Sequence, residues 1–274
     1  MALSGCDIHM HVRLGHDEKT VVSLTMDKGV KQRFHRLGSS PYFYDASARW
    51  AIWLAVPAVI CIAYAVIAGL VYVPPDYQQG DVFRILYIHV PSAWLSLFGY
   101  TAMAVAGVVA LVWRLKLAEI FIAAAAPVGA SFTFLALVTG AIWGEPTWGT
   151  YWVWDARLTS ELILLFLYLG VIALHRSIAS PRAAGRACAL LSIVGVINVP
   201  IIHYSVVWWT TLHQGATLGL TGGSNMDADM LWPLLAGALG FTCLFGWLTL
   251  WGMRVQLLWR ERRSRWVMKR IAHG

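Results

Sequence analysis

The chain has 274 residues, 58% of them hydrophobic and 13% charged, with a formal net charge of +7. That charged share is about half the usual value for soluble domains, which excludes an ordinary soluble enzyme and describes a polytopic membrane protein. The four cysteines (Cys6, Cys61, Cys188 and Cys243) form neither CxxC nor CxxCH, which excludes a thiol redox motif and a covalent haem attachment site.

Residues 1–49 are polar and carry His9, His11, His16 and His35 at no repeating spacing. We read them as a solvated tail, with Met26 as an alternative start. They lack the compact apolar core and cleavage site of a secretory signal. A six-helix membrane domain follows over 50–253, then a basic tail over 254–274.

A bilayer core needs about 20 mostly apolar residues per helix. Six segments satisfy this, at roughly 51–73, 92–113, 118–143, 158–174, 187–207 and 231–251. The fourth is short and is expected to lengthen by helix running back into the tryptophan-rich residues before it. In the fifth, Pro200 removes a backbone donor, so a kink is expected near His203. Asn198 beside it reads as a packing residue between spans. Glu119, near Arg114 and Lys116, reads as an interface ion pair.

Of the 21 lysines and arginines, 19 fall on one side of these spans, and only Arg84 and Arg157 fall on the other. The positive-inside rule then places both termini in the cytoplasm. The basic balance is thus a topology signal, not a nucleic-acid footprint. The opposite face carries the three longest connections, 74–91, 144–157 and 208–230.

One of those connections stands out. Residues 143–161 read WGEPTWGTYWVWDARLTSE, with Trp143, Trp148, Trp152 and Trp154 just ahead of Asp155 and Arg157. An interfacial tryptophan belt accounts for Trp50, Trp53, Trp113, Trp251 and Trp259. It accounts less well for a cluster this dense, between the third and fourth helices. On a helix, Trp148 and Trp152 would share a face. An exposed, flat apolar surface rimmed by charge marks a binding site, and its natural ligand is large and planar. His89 in YIHVPSAW and His203 in NVPIIHYSVVWW lie at the same membrane level. Taken singly, each histidine reads as structural. Together they suit two axial ligands of a haem iron. His213 in TLHQG reads as a solvated residue, with third-ligand and partner-contact roles as alternatives.

Residues 143–166, WGEPTWGTYWVWDARLTSELILLF, resemble the tryptophan-rich WWD segment of haem-handling proteins. RILYIHVPSAW and INVPIIHYSVVWWTTLHQG resemble the flanking histidine segments of the cytochrome c maturation protein C family. The specific likeness runs over about residues 50–215, and the span pattern carries it to about 265. It implies six transmembrane helices in the bacterial inner membrane with a periplasmic tryptophan loop. It implies His89 and His203 as axial ligands of a transient, non-covalent haem b, and Trp143 to Asp155 as its platform. It also implies partners: the periplasmic haem chaperone cytochrome c maturation protein E, an ABC-type ATPase, a second membrane subunit and a small single-span subunit.

Such a protein needs no general acid or base; it holds haem and releases it. Arg84 and Arg157 are candidate partners for the haem propionates. Local pairing competes with that reading, Arg84 with Asp81 and Arg157 with Glu161. Asp155 is left between accepting from a tryptophan N–H, orienting the loop and repelling a propionate. Two other functions compete: an electron-transferring b-type cytochrome and an ABC-type permease with no haem site. Cytochrome helices place paired histidines deep in the membrane, whereas here both lie near one edge. A bare permease predicts that both histidines are dispensable for haem.

Overall fold

The computed structural model describes residues 39–213, 218–219, 223–224 and 226–272. The expectations for the histidines and start of the first 38 residues lie outside these. The element order is α1 (Ser40–Ile67), a π-helical turn (Ala68–Tyr72), a 3-10 turn (Asp81–Ile85), α2 (Leu86–Val112), α3 (Lys116–Trp148), α4 (Ala156–Ser177), α5 (Pro181–Gly195) and α6 (Asn198–Trp208). A two-residue antiparallel ladder pairs β1 (Leu218–Gly219) with β2 (Gly223–Ser224), and α7 (Ala228–Arg260) and α8 (Arg265–Ala272) close the chain.

Six helical stretches are long and apolar enough to cross a membrane: Ser40–Tyr72, Asp81–Val112, Lys116–Trp148, Ala156–Ser177, Pro181–Trp208 and Ala228–Arg260. Each matches one of the six expected spans, and the first two end one residue short of the expected limits of 73 and 113. This is a multi-pass α-helical membrane protein. Large apolar side chains such as Ile52, Val59, Val105, Phe166 and Leu239 stand exposed around the bundle, as lipid-facing residues do.

Several boundaries differ from expectation. α4 does not run back into the tryptophan segment. Instead α3 runs forward to Trp148, where Gly149 takes a left-handed conformation (φ 75°) and ends it. α4 starts where Asp155 caps it, Oδ1 accepting from the Leu158 amide at 2.8 Å. Trp148 and Trp152 therefore share no helix face. The fifth span breaks between Gly195 and Asn198, ahead of Pro200. Pro200 sits in the first turn of the new helix, where its missing N–H is not needed. The Val196 carbonyl it would have served accepts from the Val199 amide at 3.0 Å. Asn198 does bridge spans, its Nδ2 donating to the Ser160 carbonyl at 2.8 Å.

The helices meet around Tyr168. Its buried hydroxyl donates to the Ser96 carbonyl at 2.8 Å. Its ring meets Tyr100 edge-on at 4.9 Å. Gly99 of α2 and Gly129 of α3 make the room: a Cβ on Gly99 would lie 2.8 Å from the Tyr168 oxygen, and one on Gly129 would run into its ring. Small residues at helix crossings let backbones approach in this way. Leu95, Met103, Ile122, Leu164 and Phe245 complete this core.

At the basic end the charges interlock. Glu261 accepts from Ser40 at 2.6 Å and Trp266 at 2.5 Å and pairs with Lys116. Glu119 pairs with Arg260 at 2.5 Å, not with the nearby Arg114 or Lys116. Arg270 reaches Asp45 at 2.7 Å, and buried Arg254 bonds to the Tyr44 carbonyl and to Ser47 and lies over the Tyr44 ring. Helix thus covers Ser40–Arg49 and 254–260, which the sequence assigned to tails.

Gly129→Ala is expected to destabilise by about 1–3 kcal/mol through overpacking, read as a lower unfolding midpoint in detergent. Burial of Glu261 opposes its ionisation, but Lys116, Ser40 and Trp266 outweigh that and hold its carboxyl below the ordinary carboxylate range. Its folded value lies below its unfolded one, so its contribution is present at neutral pH and lost as pH falls through and below the ordinary carboxylate range. The midpoint of Glu261→Gln is accordingly expected to lie below wild type at pH 7 and to converge with it in acid.

Candidate functional site

His89 lies on the first turn of α2. Its Nδ1 is 3.1 Å from the Thr139 hydroxyl of α3. That hydroxyl has a single proton, which it gives to the Leu135 carbonyl at 2.7 Å. With its proton on Leu135 the hydroxyl is an acceptor toward His89, an arrangement that fits the tautomer with the proton on Nδ1 and Nε2 as the ligating nitrogen. A histidine fixed this way is set up as a metal ligand through Nε2. Gly140 gives the ring its space: a Cβ there would lie 3.0 Å from it.

Trp143 meets the His89 ring edge-on, with centroids 5.7 Å apart. Its Nε1 donates to Gln79 Oε1 at 2.8 Å, tying α3 to the first of the long connections. Asp76 holds that connection in a turn, accepting from the amides of Gln78 and Gln79 at 2.9 and 2.8 Å.

Trp148 stacks obliquely on His213, with centroids 4.8 Å apart. Trp152 and Trp154 meet edge-on at 5.4 Å; Trp154 is exposed and Trp152 half-buried. Between Trp148 and Asp155 the chain is irregular, and Thr150 Oγ1 accepts from the Trp152 amide at 3.4 Å.

The two arginines divide. Arg84 is committed locally, its Nε 2.9 Å from Asp81 and its Nη1 2.5 Å from the Gly69 carbonyl. Arg157 has no side-chain hydrogen bond or ion pair among the described residues; the expected contact with Glu161 does not form. Its charge acts on His89, His213 and Glu161. Asp155 spends one oxygen capping α4.

The two other histidines divide as well. His203 is exposed on α6, and among the described residues its ring contact is Tyr204 at 4.8 Å. His213 is half-buried beside Trp148. Burial, with Arg157 and His89 close by, lowers its titration from the usual 6.5 to about 3. Sequence reading set His213 aside as solvated. Its spacing gives no signal, because the loop returns to Trp148 only in three dimensions. Thr139 and Gln79 were missed for the same reason.

Eight buried side-chain polar atoms have no partner among the described residues. Five of them belong to this end: Trp152 Nε1, Asp155 Oδ2, Glu161 Oε1, Thr211 Oγ1 and His213 Nδ1. Orphaned buried polar atoms are costly and rare. Two of them belong to the aromatic contacts above, Trp152 with Trp154 and His213 with Trp148, a surface suited to a planar ligand. No group of three or more His, Cys, Asp or Glu side chains that could hold a metal ion occurs among the described residues.

Fold and site together define a polytopic membrane protein with a tryptophan–histidine site at one membrane face. The family model described as Heme exporter protein C matches residues 33–268. The Heme exporter protein C of Escherichia coli K12 is 49% identical over 237 residues, covering 86% of this chain and 96% of that protein. That of Bradyrhizobium diazoefficiens is 50% identical over 233 residues, 85% and 88% of the two chains. A cytochrome c biosynthesis ccmC-like mitochondrial protein of Marchantia polymorpha is 42% identical over 205 residues, 75% and 87%. The chain belongs to the haem exporter protein C family.

With its folded value near 3, His213 stays neutral through the physiological range. In histidine ring-labelled protein, one resonance, absent from His213→Ala, is expected to show no protonation shift between about pH 8 and pH 5.

Proposed function

We propose that the chain binds haem b, transiently and non-covalently, at its tryptophan-rich face and hands it on for cytochrome c maturation. The observation that carries this is His89, whose Nδ1 lies 3.1 Å from the Thr139 hydroxyl and whose ring meets Trp143 edge-on, an arrangement that suits ligation through Nε2. The printed names of the relatives, haem exporters and a cytochrome c biosynthesis protein, support the same cargo and pathway. Haem is the cargo here, and iron chemistry belongs to it. The chain's own residues hold and release. His89 supplies one axial nitrogen. Trp143, Trp148, Trp152 and Trp154 offer ring faces to the macrocycle, and Arg157 is the guanidinium free to meet a propionate. Arg84 is the lesser candidate, because Asp81 and the Gly69 carbonyl already occupy it.

For the second axial ligand the sequence pointed to His203. His213, half-buried, set obliquely against Trp148 at 4.8 Å and without a partner at Nδ1 among the described residues, is the alternative. The positive-inside distribution supports a periplasmic position for this face in the inner membrane. From there the cargo passes to a periplasmic haem chaperone, cytochrome c maturation protein E. The chain works with the ATPase and membrane subunits of a haem-export complex. A haem-free permease is disfavoured by a site whose orphaned atoms need a ligand. An electron-transfer role is disfavoured by the position of His89 at a membrane edge.

The test is a pyridine haemochrome assay and visible spectrum of detergent-purified wild type, His89→Ala, His203→Ala and His213→Ala. We expect low-spin b-type haem in the wild type and about 10–100-fold weaker or high-spin haem in His89→Ala and His203→Ala; loss in His213→Ala with His203→Ala near wild type would move the second ligand to His213. Equal haem in all four proteins, or none, would overturn the site.

A further inference from the structure

Toward the basic end of the bundle an apolar groove of about 510 Å³ opens between α1, α3 and α7. Trp50, Trp53 and Leu54 line it from α1, Phe121 from α3, and Phe245 and Leu250 from α7. Its volume falls within the range of about 300–1,000 Å³ that small-molecule sites occupy. Trp50 and Trp53 are exposed, as tryptophans at a membrane interface are.

One lining residue is out of character. Thr249 of α7 is 2% exposed, and its Oγ1 has no hydrogen-bond partner among the described residues. Thr242, two turns earlier on the same helix, gives its hydroxyl to the Ala238 carbonyl at 2.7 Å. Thr101 and Thr133 bond back in the same way on α2 and α3. Thr249 makes no such bond. A hydroxyl buried in apolar surroundings without a partner is costly.

The glycines of α7 fix the level of Thr249. A Cβ on Gly240 would meet Cys61 and Ile62 of α1, and one on Gly246 would meet Leu54. The two helices therefore run antiparallel, and Thr249, three residues beyond Gly246, is level with about Ala51. That is within one helical turn of Arg49. Arg49 is exposed and enters no ion pair among the described residues. Asp45, one turn further out, is taken by Arg270. The i,i+4 spacing puts Arg49 on the same face of α1 as Trp53. Passing into the membrane, a free cation comes first, then an unpartnered hydroxyl, then an apolar slot that runs on to Leu54 and Phe245.

We propose that this groove binds one anionic phospholipid from the leaflet at the basic end. Its phosphate meets Arg49, an ester carbonyl accepts from Thr249, and an acyl chain lies against Trp53, Leu54 and Phe245. The order of the three protein groups is the order of anion, ester and chain along such a lipid. The positive-inside distribution supports the cytoplasmic leaflet, whose anionic lipids give it a negative surface potential. A partner helix fits less well. At about 10–12 Å across, it would fill the groove in about one turn. Its carbonyls are already bonded within the helix, leaving Thr249 unsatisfied.

The test titrates the detergent-purified, delipidated full chain with dioleoylphosphatidylglycerol or dioleoylphosphatidylcholine. Binding is read by native mass spectrometry and by the unfolding midpoint. In the wild type we expect one saturable phosphatidylglycerol per chain, with phosphatidylcholine about fivefold weaker, the effect of one cation on an anionic lipid. Arg49→Gln is expected to abolish that preference while both lipids still bind. Thr249→Val keeps the shape and loses the hydroxyl. It is expected to bind both lipids about two- to tenfold more weakly. Without lipid its midpoint is expected to match or exceed that of the wild type, since an unsatisfied hydroxyl is gone; with phosphatidylglycerol the wild type gains more. Equal affinity of the wild type for the two lipids overturns the proposal, as does a preference that survives in Arg49→Gln. Unsaturable uptake overturns it and leaves the groove to a partner helix. Displacement of the lipid by equimolar haem overturns it and gives the groove to haem. The wild-type comparison decides even where a variant does not fold.

Discussion

The arrangement at the tryptophan end depends on how three helices are pinned in the middle of the bundle. Tyr168 of α4 fills a slot opened by Gly99 of α2 and Gly129 of α3, and its hydroxyl bonds to a backbone carbonyl of α2. In hydrocarbon no water replaces a lost partner, so such a bond is held or the helices move apart. The same three helices carry His89, Trp143, Trp148 and Arg157 at their ends. Registry set at Tyr168 is inherited there, and Thr139 can meet Nδ1 of His89 only because α2 and α3 are fixed in depth and rotation.

The two ends of the bundle are built on opposite principles. At the basic end three ion pairs join the helices, and Glu261 alone gathers Ser40, Lys116 and Trp266. At the tryptophan end polar atoms are buried and left open. A protein that discarded stability at random would scatter its orphans. Here, among the described residues, five of eight belong to the tryptophan end, Trp152 and His213 among them in aromatic contacts.

Much of this was legible in the sequence, because the relevant signals are one-dimensional. Apolar run length located all six spans, and the density of tryptophan picked out 143–155 before any geometry. His89 was legible through its neighbours in YIHVPSAW. The rest depends on what meets across the fold. A loop histidine and a helix-end tryptophan, Trp148 and His213, lie 65 positions apart, and no pattern joins them. Nor does spacing alone say that Arg157 and Glu161 stay apart while Arg84 and Asp81 pair. The end of α3 turned on a single glycine conformation at Gly149, in competition with a plausible helical continuation on the far side.

The length of α3 has a consequence of its own. Its 33 residues rise about 50 Å at 1.5 Å each, against a hydrocarbon layer of about 30 Å. Lys116 anchors one end beside Glu261. The helix is thus longer than the layer is thick, with Trp148 at its end, while neighbouring α4 has 22 residues. Tilt of α3, or extension of its ends beyond the hydrocarbon, must take up that difference.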